Sequence, residues 1–241
     1  MSEQITYHNA LSDRLVVCHF TSHTQFVVYS KELIIKYQSV TTDGELPPLL
    51  VNAIFSETHL VRVADKFTLA PLGEVDYSPY FNLNHREGHN LATEDTELFT
   101  VVYNDTPLAV QGQLVGEKLT TDISLTYHYG LSKAHKNALY FYVVDDILTI
   151  LAWHKGEFIL ANRYAVANDE ELFYYVMLVI NQLELSASDL HFELIGSSSQ
   201  YEQYTGLFKK YVSPLQSRQS AKTSSDDASN VLAQFFGTCV L

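Results

Sequence analysis

The chain states one local pattern twice, 124 positions apart. Residues 15–20, 25–30 and 33–40 are short β-branched, aromatic or alternating runs, followed by a helical stretch opening near Glu45. Residues 139–144, 147–153 and 157–164 repeat that order, with a helix opening near Asp169. Even the turns correspond: Lys31 falls on Lys155, and Leu33 on Glu157. A repeat at half the chain length makes each copy one supersecondary unit and fixes architecture ahead of chemistry.

Connections this short between three successive strands force an antiparallel meander. A strand that returns after a helix lies parallel to its predecessor through a right-handed crossover. The expected fold class is therefore α/β with mixed sheets, occurring twice. In the first copy Asp43-Gly44 ends the third strand, and Pro47-Pro48 followed by Leu49, Leu50, Ala53 and Ile54 predicts a helix. Residues 59–64 and 67–70 read as strands, with a short helix opening near Ser78-Pro79. Residues 86–97 are polar and read as an exposed loop, 98–103 as a strand, and 104–116 as a helix capped by Asn104 or Asp105. The alternation Ile-Ser-Leu-Thr-Tyr-His-Tyr over 123–129 predicts another strand.

In the second copy Asp145-Asp146 and Lys155-Gly156 make tight hairpin turns. Asn168 and Glu171 have capping-box spacing ahead of a helix so apolar, through Tyr174, Tyr175, Met177 and Leu178, that burial on nearly all sides is expected. Residues 191–195 read as a strand and 200–211 as a helix. The expected organisation is a first lobe over 1–138, a second over 139–212, a flexible Ser-rich segment over 213–230, and an apolar end, 231–241, that docks on the body.

Composition narrows the function classes. A net charge of −13 repels phosphate backbones, so no nucleic-acid partner is expected. The longest apolar run, 172–180, is too short to span a bilayer, and no secretory leader precedes Leu11, so membrane insertion is not expected and the expected compartment is the cytoplasm. Cys18 and Cys239 stand in unrelated contexts and read as buried thiols, although a disulfide stays open at this point.

Three stretches carry a resemblance: Lys66-Phe67-Thr68-Leu69-Ala70-Pro71, Tyr80-Phe81-Asn82-Leu83-Asn84, and residues 168–182 with their aromatic helix. With the doubled element order, they resemble an uncharacterised bacterial family, a domain of unknown function within the actin-like ATPase superfamily. The resemblance implies two ribonuclease-H-like lobes with a cleft between them. Active members of that superfamily hold nucleotide phosphates between two glycine-containing hairpins, and the base against a Gly-Gly turn.

The positions that match are Phe20-Thr21-Ser22-His23, then Asp145-Asp146, then Gly196-Ser197. The cleft candidates are thus Thr21, Ser22, Asp145, Asp146, Gly196 and Ser197. Neither hairpin keeps a glycine, and the third position keeps one where two are usual. Side chains in place of glycine crowd a triphosphate away from backbone N–H groups. Paired Asp145-Asp146 could hold Mg²⁺, but Asp is also an ordinary turn residue. His85 and His89 have helical zinc spacing, yet Gly88 between them argues for a solvated loop. No Gly-x-Ser-x-Gly pattern is present, and Ser197-Ser198-Ser199 reads as a helix cap. The expectation is a non-catalytic protein with degenerate nucleotide loops and no cofactor, which binds a protein or peptide or assembles with itself. The alternative is a divergent ATPase or sugar-type kinase using ATP and Mg²⁺, with Asp145 as the metal-bound carboxylate.

Overall fold

A computed structural model describes residues 12–30, 35–51, 53–85, 90–105, 116–186, 188–212, 214–218 and 228–240. The first half of the chain gives β1 (Arg14–His19), β2 (Thr24–Tyr29), β3 (Ile35–Thr41), β4 (Glu57–Arg62), β5 (Phe67–Ala70), α1 (Ser78–Asn84), β6 (Leu91–Asp95), β7 (Thr100–Asn104) and β8 (Glu117–Thr121). Then follow α2 (Asp122–Lys133), β9 (Ala138–Val144), β10 (Ile147–His154), β11 (Glu157–Ala165), α3 (Asp169–Gln182), β12 (His191–Ile195), α4 (Ser198–Phe208), β13 (Gln216–Arg218) and α5 (Ala228–Val240).

Two five-stranded sheets have orders β3-β2-β1-β4-β8 and β11-β10-β9-β12-β13. In each, the first three strands pair antiparallel and the last three parallel, as meander-then-crossover requires. A third sheet, β5-β7-β6, is antiparallel throughout and buries Ala70 and Val102 against Phe81 of α1. The described residues divide into two compact units. One holds those up to Ser124 and from Phe236 onward, the other Leu125–Phe235, so the boundaries fall inside α2 and α5.

The first sheet buries Leu15, Val17, Phe26, Val28 and Leu60 in one cluster with Leu50 and Phe55. In the second, Phe141 stacks on Phe192 at 5.0 Å, and Phe208 of α4 meets Phe192 edge-on at 5.0 Å. Fully buried side chains of this size each contribute about 1.5–3 kcal/mol. The Asn168 side chain accepts from Glu171 N–H at 2.9 Å, and Glu171 Oε2 accepts from Ala167 N–H at 2.8 Å, fixing where α3 begins.

Four readings are corrected. The helix expected after Pro47-Pro48 is not found among the described residues: Leu50 N–H donates to Pro47 O and Ala53 N–H to Leu50 O, a pair of turns. Leu50 anchors them in the core while Val51 and Ile54 are exposed, so the apolar residues form no single helical face. Residues 123–129 are helix, not strand. Ile123 through Tyr127 are all buried, which erases the polar face that would have shown the helical period.

Part of the polar stretch 86–97 is strand β6, an edge strand whose half-exposed residues suit that composition. Helix α3 is one-sided: Leu172, Val176, Val179 and Ile180 are buried, while Tyr174 is 59% exposed. Strand β8 was not anticipated. The helix expected over 104–116 lies, for residues 106–115, outside the described residues. Within the polar stretch 213–230, β13 pairs parallel with β12, and residues 219–227 lie outside the described set.

Candidate functional site

In open α/β sheets, ligands sit beyond the carboxyl ends of the parallel strands, where chain leaves one strand for the next element. The first sheet delivers His19, Arg62 and Thr121 to that edge, at the ends of β1, β4 and β8. The second delivers Val144 and Ile195, at the ends of β9 and β12. All six sequence candidates leave these edges: Thr21 and Ser22 in the β1–β2 hairpin, Asp145 and Asp146 in the β9–β10 hairpin, Gly196 and Ser197 after β12.

At the first edge a pocket of about 130 Å³ is lined by His19, Phe20, Thr21, Arg62, Val63, Ala64, Asp65 and Asn104. Its volume is below the roughly 300 Å³ at which small-molecule sites begin, so it suits a side chain or a few waters. Arg62 is 2% exposed, with Nη2 3.1 Å from Asp105 Oδ1. That pairing offsets the desolvation of the guanidinium and leaves the pocket without a net positive charge. His19 Nδ1 lies 2.9 Å from Thr24 Oγ1. Burial first, then the charges of Arg62 and His23, push the His19 imidazole down to about 4. At neutral pH it is therefore an uncharged hydrogen-bonding group.

Phe20 N–H donates to His23 O at 2.9 Å, and the His23 ring stacks on Phe20 at 4.7 Å. Ser22 Oγ lies 2.8 Å from His23 Nδ1. Thr21 lines the pocket, whereas Ser22 engages its own turn. Sequence reasoning passed over Arg62 and Asn104. A signal for Arg62 was present: a cation inside the apolar run Leu60-Val61-Arg62-Val63-Ala64.

At the second edge Asp145 and Asp146 both take positive φ, 51° and 58°, so the hairpin is a type I′ turn built without glycine. Asp146 O accepts from Val166 N–H at 2.9 Å. Ser197 caps α4, and Gln200 closes the capping box: Ser197 N–H donates to Gln200 Oε1 at 3.1 Å, and Gln200 N–H to Ser197 Oγ at 3.3 Å. Gln200 Nε2 donates to Val143 O at 3.1 Å, tying the loop after β12 to the strand before the Asp145-Asp146 turn. A Cβ placed on Gly196 would lie 2.6 Å from Gln200 Oε1, so the glycine makes room for this side chain. The fold thus brings Asp145, Asp146, Gly196 and Ser197 to one edge, with Gln200 between them.

Burial raises the Tyr204 phenol to about 12, with further contributions from Asp169 and Asp146. Gln203 Nε2 donates to both oxygens of Asp169 at 2.7 and 2.8 Å. Among the described residues no three His, Cys, Asp or Glu side chains form a metal-binding group. His85 Nε2 lies 2.8 Å from Phe67 O and its ring 4.6 Å from that of Phe81, while His89 lies outside the described residues. No helix of the described residues is long and apolar enough to cross a membrane.

Comparison with known proteins follows the same line. Residues 118–215 match the family described as "Protein of unknown function (DUF3822)". No curated protein matches the chain. A Bacteroides thetaiotaomicron protein with an actin-like ATPase fold and unknown function superposes with a TM-score of 0.73 at 15% identity, covering 94% of this chain and 96% of that one. The PilM–PilN type IV pilus biogenesis complex gives 0.58 at 10% identity, covering 97% and 100%. The ethanolamine utilization protein EutJ from Carboxydothermus hydrogenoformans gives 0.50 at 10% identity, covering 96% and 91%. The chain has the two-lobed actin-like ATPase fold, a mixed α/β architecture.

Proposed function

We propose that this protein is a non-catalytic member of the actin-like fold class that works by binding a protein or peptide, or a second copy of itself. The observation that carries the reading is the Gln200 clamp. The Ser197 N–H, a backbone donor at the carboxyl edge of the second sheet, is engaged by the protein's own side-chain amide. Neither hairpin supplies glycine for close approach by phosphate, and the Asp145-Asp146 turn presents two carboxylates where an anion would enter. The structural likeness to a pilus complex between two proteins is consistent with use of this fold for protein contact. The matching order and pairing sense of the two large sheets support descent of both from one duplicated unit.

The decisive experiment is thermal melting with and without millimolar ATP and Mg²⁺, alongside light scattering over a concentration series and crosslinking to bound protein. The proposal expects no nucleotide-dependent shift, and either concentration-dependent assembly or a saturable crosslinked partner. Stabilisation by ATP and Mg²⁺ that is lost in Asp145→Ala would replace it with the phosphotransfer reading.

A further inference from the structure

The cluster that neither sheet edge explains lies in the second unit, at the opposite end of β12. Glu193, 6% exposed, accepts two hydrogen bonds there: from Tyr129 Oη of α2 at 2.7 Å, and from His191 Nε2 at 2.7 Å. The His191 ring is stacked by His135, just beyond α2, with centroids 3.8 Å apart and planes 15° from parallel. His191 N–H donates to Asn137 O at 2.9 Å. Three separate contacts thus fasten the end of α2 and the residues after it to β12.

From this geometry we infer that His135, His191, Glu193 and Tyr129 form a proton-operated clasp, which holds the C-terminal end of α2 on β12 at neutral pH and loosens on acidification. Stacking at 3.8 Å suits two imidazoles of which at most one is charged. The Glu193 carboxylate takes its hydrogen bond from His191 Nε2, whereas His135 stands face to face with the His191 ring. The other groups facing the pair are Lys133 on α2, whose charge opposes protonation of His135, and Tyr140 on β9, 5.6 Å from His191. Burial, His191 and Lys133 lower the affinity of His135 for a proton, and Glu193 partly offsets them. The sign follows: His135 holds fewer protons in the clasped state than in the open one, so clasping is full above the ordinary histidine range and weakens as pH falls below it.

The clasp has a place to act, because the chain passes from the first compact unit to the second inside α2, after Ser124. Its state sets how firmly the second unit holds the far end of that helix.

The test is amide hydrogen exchange over residues 127–137 of the full chain at about pH 7.5 and about pH 5.5, corrected for intrinsic rates, which spans histidine titration. Two unit charges at this separation repel in bulk water by an amount equivalent to a factor of about five. Protection of these amides should therefore fall about fivefold at the lower pH, with amides in β9 and β10 unchanged. His135→Phe keeps a flat ring on His191 and cannot titrate, so it should retain wild-type protection at pH 7.5 and lose the pH response. A wild type whose corrected protection is the same at both pH values overturns the inference. So does a folded His135→Phe variant with an undiminished response. Should His135→Phe fail to fold, the 13Cε1 shifts of wild-type histidines decide: a charged His135 with no change in neighbouring protection also overturns it.

Discussion

Alanine in place of Gly130, in the last turn of α2, tests how closely that helix lies on the second sheet. The Cβ would meet three atoms of the Trp153 ring, Cη2, Cζ2 and Cζ3, the farthest of them at 2.9 Å. Real Cβ atoms do not approach so closely, so either the helix or the indole must move. The indole cannot swing aside: it is 2% exposed, packed edge-on against Tyr140 at 5.4 Å and Phe158 at 5.1 Å, with Tyr127 stacked at 6.3 Å. Overpacking of a well-filled core costs about 1–3 kcal/mol, and a site walled by rings belongs near the top of that range. Alanine returns about 1 kcal/mol through its higher helix propensity. The net is a loss of about 1–2 kcal/mol, or about 2–8 °C in melting temperature for a chain of this length.

Gly206 in α4 supplies the control, because nothing lies within 4 Å of the point a Cβ would occupy there and only the propensity gain remains. Gly206→Ala should raise the melting temperature by about 2–4 °C. Trp153 is the single tryptophan, so its emission reports the site directly during urea or thermal unfolding. A Gly130→Ala protein that melts at or above wild type, with unshifted tryptophan emission, would refute the close-approach argument.

Other expectations follow from single contacts. Asp13 is 1% exposed and takes Lys36 Nζ at 2.9 and 3.1 Å, so Lys36→Met strands a buried carboxylate and should lower stability by about 3 kcal/mol in urea titration; adding Asp13→Asn should recover part of it. His19, held down to about 4, binds fewer protons folded than unfolded, so its contribution to stability is full above pH 6.5 and is lost as pH falls toward 4. A His19→Gln variant should show a flatter pH–stability curve across that window. Cys18 is fully buried and its thiol is pushed far up by burial, with Asp122 adding to the effect, so iodoacetamide should leave it unlabelled in the native protein and label it in urea, as read by mass spectrometry.

The apolar strands were legible because their pattern is local, whereas the polar β6 and β8 were not. Six residues of Arg14–His19 or eight of Ile147–His154 carry enough apolar side chains to declare themselves, and the Asp145-Asp146 turn fixes the register of β9 on β10. The helices were legible only where one face stays wet. In α3, exposed Tyr174 and buried Val176 lie close in sequence and leave a period to find. In α2, Ile123 through Tyr127 are all enclosed, and a helix buried on every side spells the same alternation as a strand. Pro47-Pro48 misled for a different reason: proline permits a helix start without compelling one, and Leu50 needed only a turn to reach the core.

The edges of the two sheets show the same division. Asp145, Asp146, Gly196 and Ser197 were named together because the family resemblance implies it, and the β9–β10 hairpin and the end of β12 carry them to one edge. Gln200 could not be named with them, since its role depends on reaching Val143, 57 positions away in the chain. Arg62 and Asp105 likewise meet across 43 positions, through a third sheet that the repeat does not contain.

The spacing of 124 nonetheless reaches further than the strands. It places Tyr29, the last residue of β2, on Trp153 near the end of β10, and both rings are buried. Each is met by a glycine from a helix in which a unit boundary falls: Gly130 of α2 on Trp153, and Gly237 of α5 on Tyr29, where a Cβ would lie 2.6 Å from Cε2 and closer to Cζ and Oη. The glycines themselves are 107 residues apart rather than 124, because the helix that covers the second sheet's ring precedes that sheet in the chain, while the one that covers the first sheet's ring comes last. No search at a fixed spacing finds such a pair. The equivalence lies in what each ring demands of whatever packs on it: an approach so close that it leaves no room for a methyl group. That demand explains why an otherwise apolar terminal helix, Val231-Leu232-Ala233-Gln234-Phe235-Phe236, carries a helix-weakening glycine immediately afterwards.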